Sequence, residues 1–537
     1  METAATQEAQ TGLAYKWKVL TSVIFGLFMV ILDQTVVNVA FPTLRAEFSA
    51  PLDDTQWVLS IYVMSMGVST PLAGFLGDRY GMKRMYALGL GLFVLSSLLC
   101  GLADTLPLLI IARAIQGFGG GLALPLGTAQ LFRAFPPKEQ GLALGLFGIA
   151  LTMAPAMGPV VGGWLVVHDV WRWIFFINVP IGIVGMIISL VWLRETIHEN
   201  APKLNIPSLI TSTIGFGAIL YAASITASKG WTSAPVVTWF TIGVVGLAIF
   251  TVLELFIIKN PLLDLRLFQN GVFTMATIIG YVATVALFGA EFLMPIYLQV
   301  LRGYSALDTG IYLLPLALTA GLMTAASGRI YDKIGPRPLI VLGYLVIMIN
   351  TWQLSHLDAQ TPLNTIMWLL AERGLGIGLT VQATFTAALG VAPLDKVSRA
   401  SSLINATRNT VQAIAVALLA TILVSSVSPK IKQIQDQLMN DPHAEQTDET
   451  FKGGVCTQPA ATDSFDDPFA NPFAGSLGKR IKQVRQQACD ENLQGLHNAY
   501  KMTFFFSILA FILGFFLPGW PGKWAGREGM RPPASGH

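Results

Sequence analysis

Val19-Leu-Thr-Ser-Val-Ile-Phe25-Gly-Leu-Phe-Met29-Val-Ile-Leu-Asp33-Gln-Thr-Val-Val-Asn38-Val-Ala-Phe-Pro42-Thr-Leu44 is an apolar run long enough to cross a bilayer, with one acid at its centre. An ionised carboxyl at that depth costs roughly 2.5–3.5 kcal/mol on insertion-type scales. Taking up a proton or pairing with a cation lowers the cost. We read Asp33 as doing both in turn, which makes the chain a proton-coupled transporter.

Composition agrees with a membrane protein. The chain is 53% hydrophobic and only 12% charged, against about 25% charged in soluble domains. Apolar runs recur at about 19–41, 55–76, 84–102, 106–131, 141–166, 172–193, 206–226, 236–258, 272–298, 306–328, 337–356, 362–391, 401–426 and 501–519, fourteen spans in all. The first follows Lys16 and Lys18 but is too long for a signal segment, so it is expected to stay as an anchor. Placing every second loop on one side collects Lys16, Lys18, Arg79, Lys83, Arg84, Arg133, Lys138, Arg194, Lys203, Lys259, Arg266, Arg329, Lys333, Arg337, Lys396, Arg399, Lys523, Arg527 and Arg531 there. Arg45, Arg172, Lys229 and Arg302 fall opposite. That asymmetry puts both termini in the cytoplasm of a plasma-membrane protein. The net charge of +3 offers nothing for nucleic acid.

Residues 428–498 form a polar extracytoplasmic connection before the last span. Ile431–Met439 and Leu477–Leu496 read as short amphipathic helices flanking Asp466-Asp467-Pro468-Phe469 and Asn471-Pro472-Phe473. Two readings stand: a solvated loop over the outer mouth, or a docking hairpin for an envelope partner. Of the three cysteines, Cys456 and Cys489 share this segment and can form a disulfide, whereas Cys100 lies in an apolar span.

One motif repeats. Gly74-Phe-Leu-Gly-Asp78-Arg79-Tyr-Gly81-Met-Lys83 returns as Gly328-Arg-Ile-Tyr-Asp332-Lys333-Ile-Gly335-Pro-Arg337, after the second and tenth spans. Arg113-Ala-Ile-Gln-Gly117-Phe-Gly119 has a weaker echo in Arg373-Gly-Leu-Gly376-Ile-Gly378. Two six-span halves, 1–200 and 268–537, are therefore expected around two inserted spans in 201–267, a recognised transporter plan. Gly74 permits close helix approach and Gly81 a tight reversal. With Asp78, Arg79, Lys83, Asp332 and Arg337 they read as a latch between the halves on the cytoplasmic side.

Gly74–Lys83 resembles motif A of the major facilitator superfamily, and Arg113–Gly120 its motif B. Ala154-Pro155-Ala-Met-Gly158-Pro159-Val-Val-Gly162-Gly163 is similar to motif C of its drug antiporters. Leu32–Pro42, Trp171-Arg172-Trp173-Ile-Phe-Phe-Ile-Asn178-Val-Pro180, Asn260–Phe268 and Tyr297-Leu-Gln299 with Leu314-Pro315 resemble segments of the fourteen-span drug:proton antiporters. The resemblance implies an all-α membrane fold and export of hydrophobic or cationic compounds by a monomer, driven by a proton gradient without cofactor or metal. It also ties Arg113 to proton coupling. Pro155 and Pro159 kink the fifth span, and Gly158, Gly162 and Gly163 give it a close-packing face. The stretch after Arg408 departs from the family, which has a glycine-rich turn there.

Arg113, Glu291 and Glu372 join Asp33 as intramembrane charges expected to couple protons, while Arg408 reads as stabilising its span. In the expected cycle a proton neutralises Asp33, the bound cation leaves, and the halves rock. Phe25, Met29 and Asp33 share one helical face. With Trp57, Tyr62, Ser65 and Glu291 they make the expected cavity wall for flat cations. A lipid or envelope-precursor exporter, or a transport-inactive sensor, are the rival functions. An enzyme is disfavoured: the six histidines form no ligand-spaced cluster, and no GxxxxGK[ST] or nucleophile elbow occurs.

Overall fold

The computed structural model describes residues 14–196, 205–427, 454–456 and 474–518. Every element among them is helical. The long helices are α1 (Tyr15–Glu47), α2 (Leu52–Tyr80), α3 (Met82–Gly101), α4 (Leu106–Ala134), α5 (Gln140–Val167), α6 (Asn178–Trp192), α7 (Ile206–Lys229), α8 (Ala234–Val252), α9 (Gly271–Ile296), α10 (Ala306–Ile334), α11 (Pro336–Leu354), α12 (Leu363–Gly390), α13 (Val397–Ser425) and α14 (Ala474–Gly514). Among the described residues, thirteen helical spans are long and apolar enough to cross a membrane. The remaining helix, α12, has the length at 28 residues, and Glu372, Arg373 and its threonines lower its hydropathy, which completes the fourteen.

Helices α1–α6 pack among themselves, as do α9–α14. The two bundles meet along α5 and α10, and again where α2 crosses α13. Glycines set how closely these helices approach. A Cβ on Gly141 would lie 2.6 Å from the Gly328 carbonyl, and one on Gly74 would lie 2.7 Å from the Ser398 carbonyl, so neither position has room for a side chain. Gly81 (φ +98°) and Gly335 (φ +84°) make the reversals after α2 and α10, where a side chain would strain the backbone. Proline at Pro155 and Pro159 is accommodated inside α5.

The inserted pair packs α7 against both α2 and α13. Trp57 of α2 stacks on Tyr221 of α7 at 5.6 Å between ring centres, and Trp231 Nε1, in the turn after α7, donates to Thr421 Oγ1 of α13 at 2.9 Å. The far end of the pair is tied as well: Lys396 Nζ, just before α13, lies 2.8 Å from the Asp264 carboxylate.

The last span differs from the expected short helix plus separate membrane segment. It is one continuous helix of 41 residues, whose N-terminal turns extend the span. Cys456 and Cys489 are joined by a disulfide. Segment 454–456 also runs along the helical turn Tyr297–Leu301 that follows α9, with Val455 N–H donating to Val300 O (2.9 Å) and Cys456 N–H to Leu301 O (2.8 Å). Ile431–Met439 and the Asp466–Phe473 stretch lie outside the described residues.

Candidate functional site

Antiparallel pairing of α1 with α6 places the central acid. A Cβ on Gly185 would meet Gly26, and one on Gly182 would meet the Met29 thioether. One turn further, Asp33 faces Asn178, the first residue of α6. The Asp33 carboxylate is fully buried. Arg113 Nη1 of α4 donates to Oδ2 at 2.5 Å. Gln116 Nε2, one turn along α4, donates to Oδ1 at 3.0 Å, and Asn178 Nδ2 donates to the same oxygen at 2.8 Å. Three donors on one carboxylate satisfy it in its charged form.

The surrounding shell fixes those donors. Arg113 Nε donates to Val58 O at 3.2 Å, and its guanidinium lies over the Tyr62 ring at 4.2 Å, a cation–π contact. Gln116 Oε1 accepts from Arg113 Nη1 at 2.7 Å. Ser97 Oγ of α3 accepts from Gln116 (3.1 Å) and Asn178 (3.2 Å) and donates to Phe175 O (2.9 Å). Asn178 Oδ1 is buried without a partner.

The expected cavity wall on α1 is corrected. Phe25, Met29 and Asp33 do share a face, but it turns toward α6: Met29 is fully buried there and Phe25 is 43% exposed. Trp57 packs on α7, Tyr62 lies under Arg113, and Ser65 Oγ donates to Ala114 O at 2.6 Å. At 100° per residue, Ile31, Asn38, Pro42 and Arg45 fall between the α2 and α5 contacts of α1, toward the other bundle. Asn38, Pro42 and Arg45 are exposed.

Glu291 lies on α9, and its side chain is outside the described residues. Glu372 is half-buried and accepts from Asn350 Nδ2 at 3.3 Å. Its neighbour Arg373 is the fully buried group, donating to Thr351 Oγ1 (3.0 Å) and Ala286 O (2.8 Å). Arg373 on α12 thus sits where Arg113 sits on α4 of the other half.

At the end bearing the basic loops, the two motif copies act across the seam. Asp78 accepts from Arg399 Nε of α13 at 2.7 Å and from the Ser398 hydroxyl, and Ser402 Oγ accepts from Gly74 N–H at 2.8 Å. Asp332 of α10 accepts from the Gly141 (2.9 Å) and Leu142 (2.8 Å) amides, capping the start of α5. Three other loop residues make contacts within their own bundle. Lys83 N–H donates to Glu195 at 3.1 Å, Arg337 holds Leu517 O, and the Arg79 guanidinium lies over Tyr80 at 5.3 Å. In motif C, Gly158 and Gly162 face α1 at Thr35 and Val36, while Pro159 and Gly163 face α10 at Gly310 and Leu307. This helix, including Pro155, is therefore held between α1 and the opposite bundle.

A helical membrane chain with two bundles meeting on a glycine-lined seam, and an ion pair buried inside one of them, defines a polytopic carrier. The chain belongs to the Major Facilitator Superfamily, whose family model matches residues 23–416. It is 33% identical over 496 residues to the uncharacterised MFS-type transporter YhcA of Bacillus subtilis, covering 92% of this chain and 91% of that one. It is 30% identical to the multidrug resistance protein Stp of Mycobacterium tuberculosis, covering 78% of each chain. The solved proton:xylose symporter XylE superposes with a TM-score of 0.58 at 13% identity, covering 95% of this chain and 97% of that one, a likeness of fold.

Asn178, Gln116 and Ser97 carry the site alongside Asp33 and Arg113. Gln116 was recoverable from its i+3 position after Arg113. Asn178 stands out as an amide in an apolar run, and Ser97 carries no comparable signal.

Proposed function

We propose that this chain is a proton-driven antiporter that exports hydrophobic, cationic compounds by alternating access, with both termini cytoplasmic. The Asp33–Arg113 pair carries the proposal: two opposite charges fully buried in a membrane bundle and held by a complete donor shell. Intramembrane ion pairs of this kind mark proton relays. Relatives named for multidrug resistance support the substrate class.

Because Asp33 is closed off from the seam, the cargo acts on it through the field rather than by contact. With Asp33 ionised the pair is neutral and a cation is tolerated across α1. With Asp33 protonated, Arg113 leaves one uncompensated positive charge that disfavours the cation. The halves then rock about the α5–α10 seam, with Asp78–Arg399 and Asp332 at the start of α5 holding the cytoplasmic end shut in the outward-facing state. Glu291, Glu372 and Arg373 stand as candidates for a second charge centre in the other half.

Proteoliposomes with an imposed pH gradient test this. Ethidium transport that follows the gradient, and collapses with it, is expected. Ethidium movement indifferent to the gradient refutes proton coupling.

A further inference from the structure

Two amides donate to Asp33, and they differ in what their other ends do. Gln116 is locked, because its oxygen accepts from Arg113 Nη1 at 2.7 Å while its nitrogen serves Asp33 and Ser97. Turning it over would set its oxygen against the carboxylate and its NH₂ against the guanidinium. Asn178 has no such lock. Its Nδ2 donates to Asp33 Oδ1 (2.8 Å) and Ser97 Oγ (3.2 Å), and its Oδ1 is buried with no partner. A buried acceptor left unpaired carries a real cost. The carboxylate itself dictates this orientation, since the alternative would point an oxygen at an anion.

We propose that Asn178 is a positioning residue that turns its amide over when Asp33 takes up a proton. A proton on Asp33 Oδ1 converts that oxygen from an acceptor into a donor, and the bond from Asn178 Nδ2 is lost. Rotation of the Asn178 amide brings its oxygen to the same place, where it accepts from the new hydroxyl. Turning the amide moves Nδ2 into the unpartnered place and gives up its bond to Ser97 Oγ, whose hydroxyl already donates to Phe175 O, so the turn is driven by the new bond from the protonated carboxyl. Arg113 continues to donate to Oδ2 throughout. The inference rests on the reading of Asp33 as the proton carrier.

The titratable or charged groups around the carboxyl are Arg113 of α4, Tyr62 of α2 and Cys100 of α3, whose Sγ lies 3.7 Å from Gln116 Oε1. The packed faces of α5 and α6 contribute glycines, Asn178 and apolar side chains. The amide of Asn178 is thus the group that can exchange donor for acceptor without moving a charge.

The test is the acid-minus-alkaline infrared difference spectrum of the full-length protein in liposomes. A carboxyl C=O band absent from Asp33→Asn identifies the proton on Asp33. The inference requires, in the same spectrum, a side-chain amide C=O band that shifts to lower frequency at acid pH and is absent from both Asn178→Ser and Asn178→Leu. A carboxyl band without that amide shift overturns the Asn178 proposal and leaves proton coupling intact. Absence of the carboxyl band overturns the underlying reading. In transport, Asn178→Leu is expected to slow pH-driven ethidium uptake roughly tenfold, from the loss of about one hydrogen bond to a charged group, and to slow ethidium–ethidium exchange without a gradient by clearly less. Equal slowing of both shows a structural role only and overturns the proposal. Asn178→Ser, whose hydroxyl can donate or accept, is expected to retain most of the driven rate, and a loss as large as that of Asn178→Leu counts against it.

Discussion

Replacing Asp33 by Asn fixes the site in the charge state that proton uptake creates. Asn is close in shape and still accepts from Arg113 Nη1, now 2.5 Å from the carboxylate, but the guanidinium loses its counter-charge. For a cation held across one helix diameter, about 10 Å away, that extra unit charge is worth about 1.7 kcal/mol at an effective dielectric of about 20. Asp33→Asn should therefore bind ethidium about fifteenfold more weakly than the wild type at alkaline pH. It should match the wild type at acid pH and show no pH dependence between. Fluorescence titration of the purified protein measures this. Breaking a buried pair can cost about 3–5 kcal/mol of stability, so the double variant Asp33→Asn/Arg113→Gln, which removes both charges, is the companion. It should bind tightly at every pH. Wild-type alkaline affinity in Asp33→Asn, or a persisting pH dependence, refutes the reasoning.

A methyl group at Gly74 has no room, since its Cβ would lie 2.9 Å from Arg399 Cα as well as against Ser398 O. Overpacking of this kind costs about 1–3 kcal/mol, so Gly74→Ala should deplete the closed cytoplasmic seam at least about fivefold, seen as longer distances between spin labels on α2 and α13. Unchanged distances would sink the latch. Reducing the Cys456–Cys489 bond, which spans 33 residues, removes a constraint worth about 3–4 kcal/mol on chain-entropy grounds. Amide exchange at Val455 and the start of α14 should rise on reduction, and protection that persists would contradict this. In the turn between α11 and α12, the Thr361 hydroxyl holds the Asp358 carboxyl below its usual range. A depressed acid stabilises the fold above its unfolded value and loses that contribution as pH falls through the folded one. Amide protection across residues 355–362, taken against the exchange rate of an unstructured chain at the same pH, should therefore fall at strongly acid pH, and a flat profile would count against it.

The fourteen spans, the intramembrane charges Asp33 and Arg113 and the repeated loop were legible because each rests on length, an isolated charge or spacing. Which way a helix turns was not. Helix α1 is apolar on nearly all sides, so Met29 gives no hint in sequence that it packs on Gly182 rather than lining a cavity. Glu372 and Arg373 are adjacent, and only packing decides that the arginine is the buried one. The repeat implied that both halves share a device, yet Asp78 meets an arginine and Asp332 caps a helix. Those partners lie across the seam, where sequence spacing has no reach. A bond between Cys456 and Cys489 was readable from their shared segment, whereas the polar composition of that segment concealed that α14 continues outward as one helix.

The account turns on one exchange, cargo for a proton on a buried carboxyl, and it is read most directly as proton release when ethidium is added to purified protein in weak buffer. Release from the wild type and none from Asp33→Asn is the expected pair of results. Equal release from both, or none from the wild type, contradicts it.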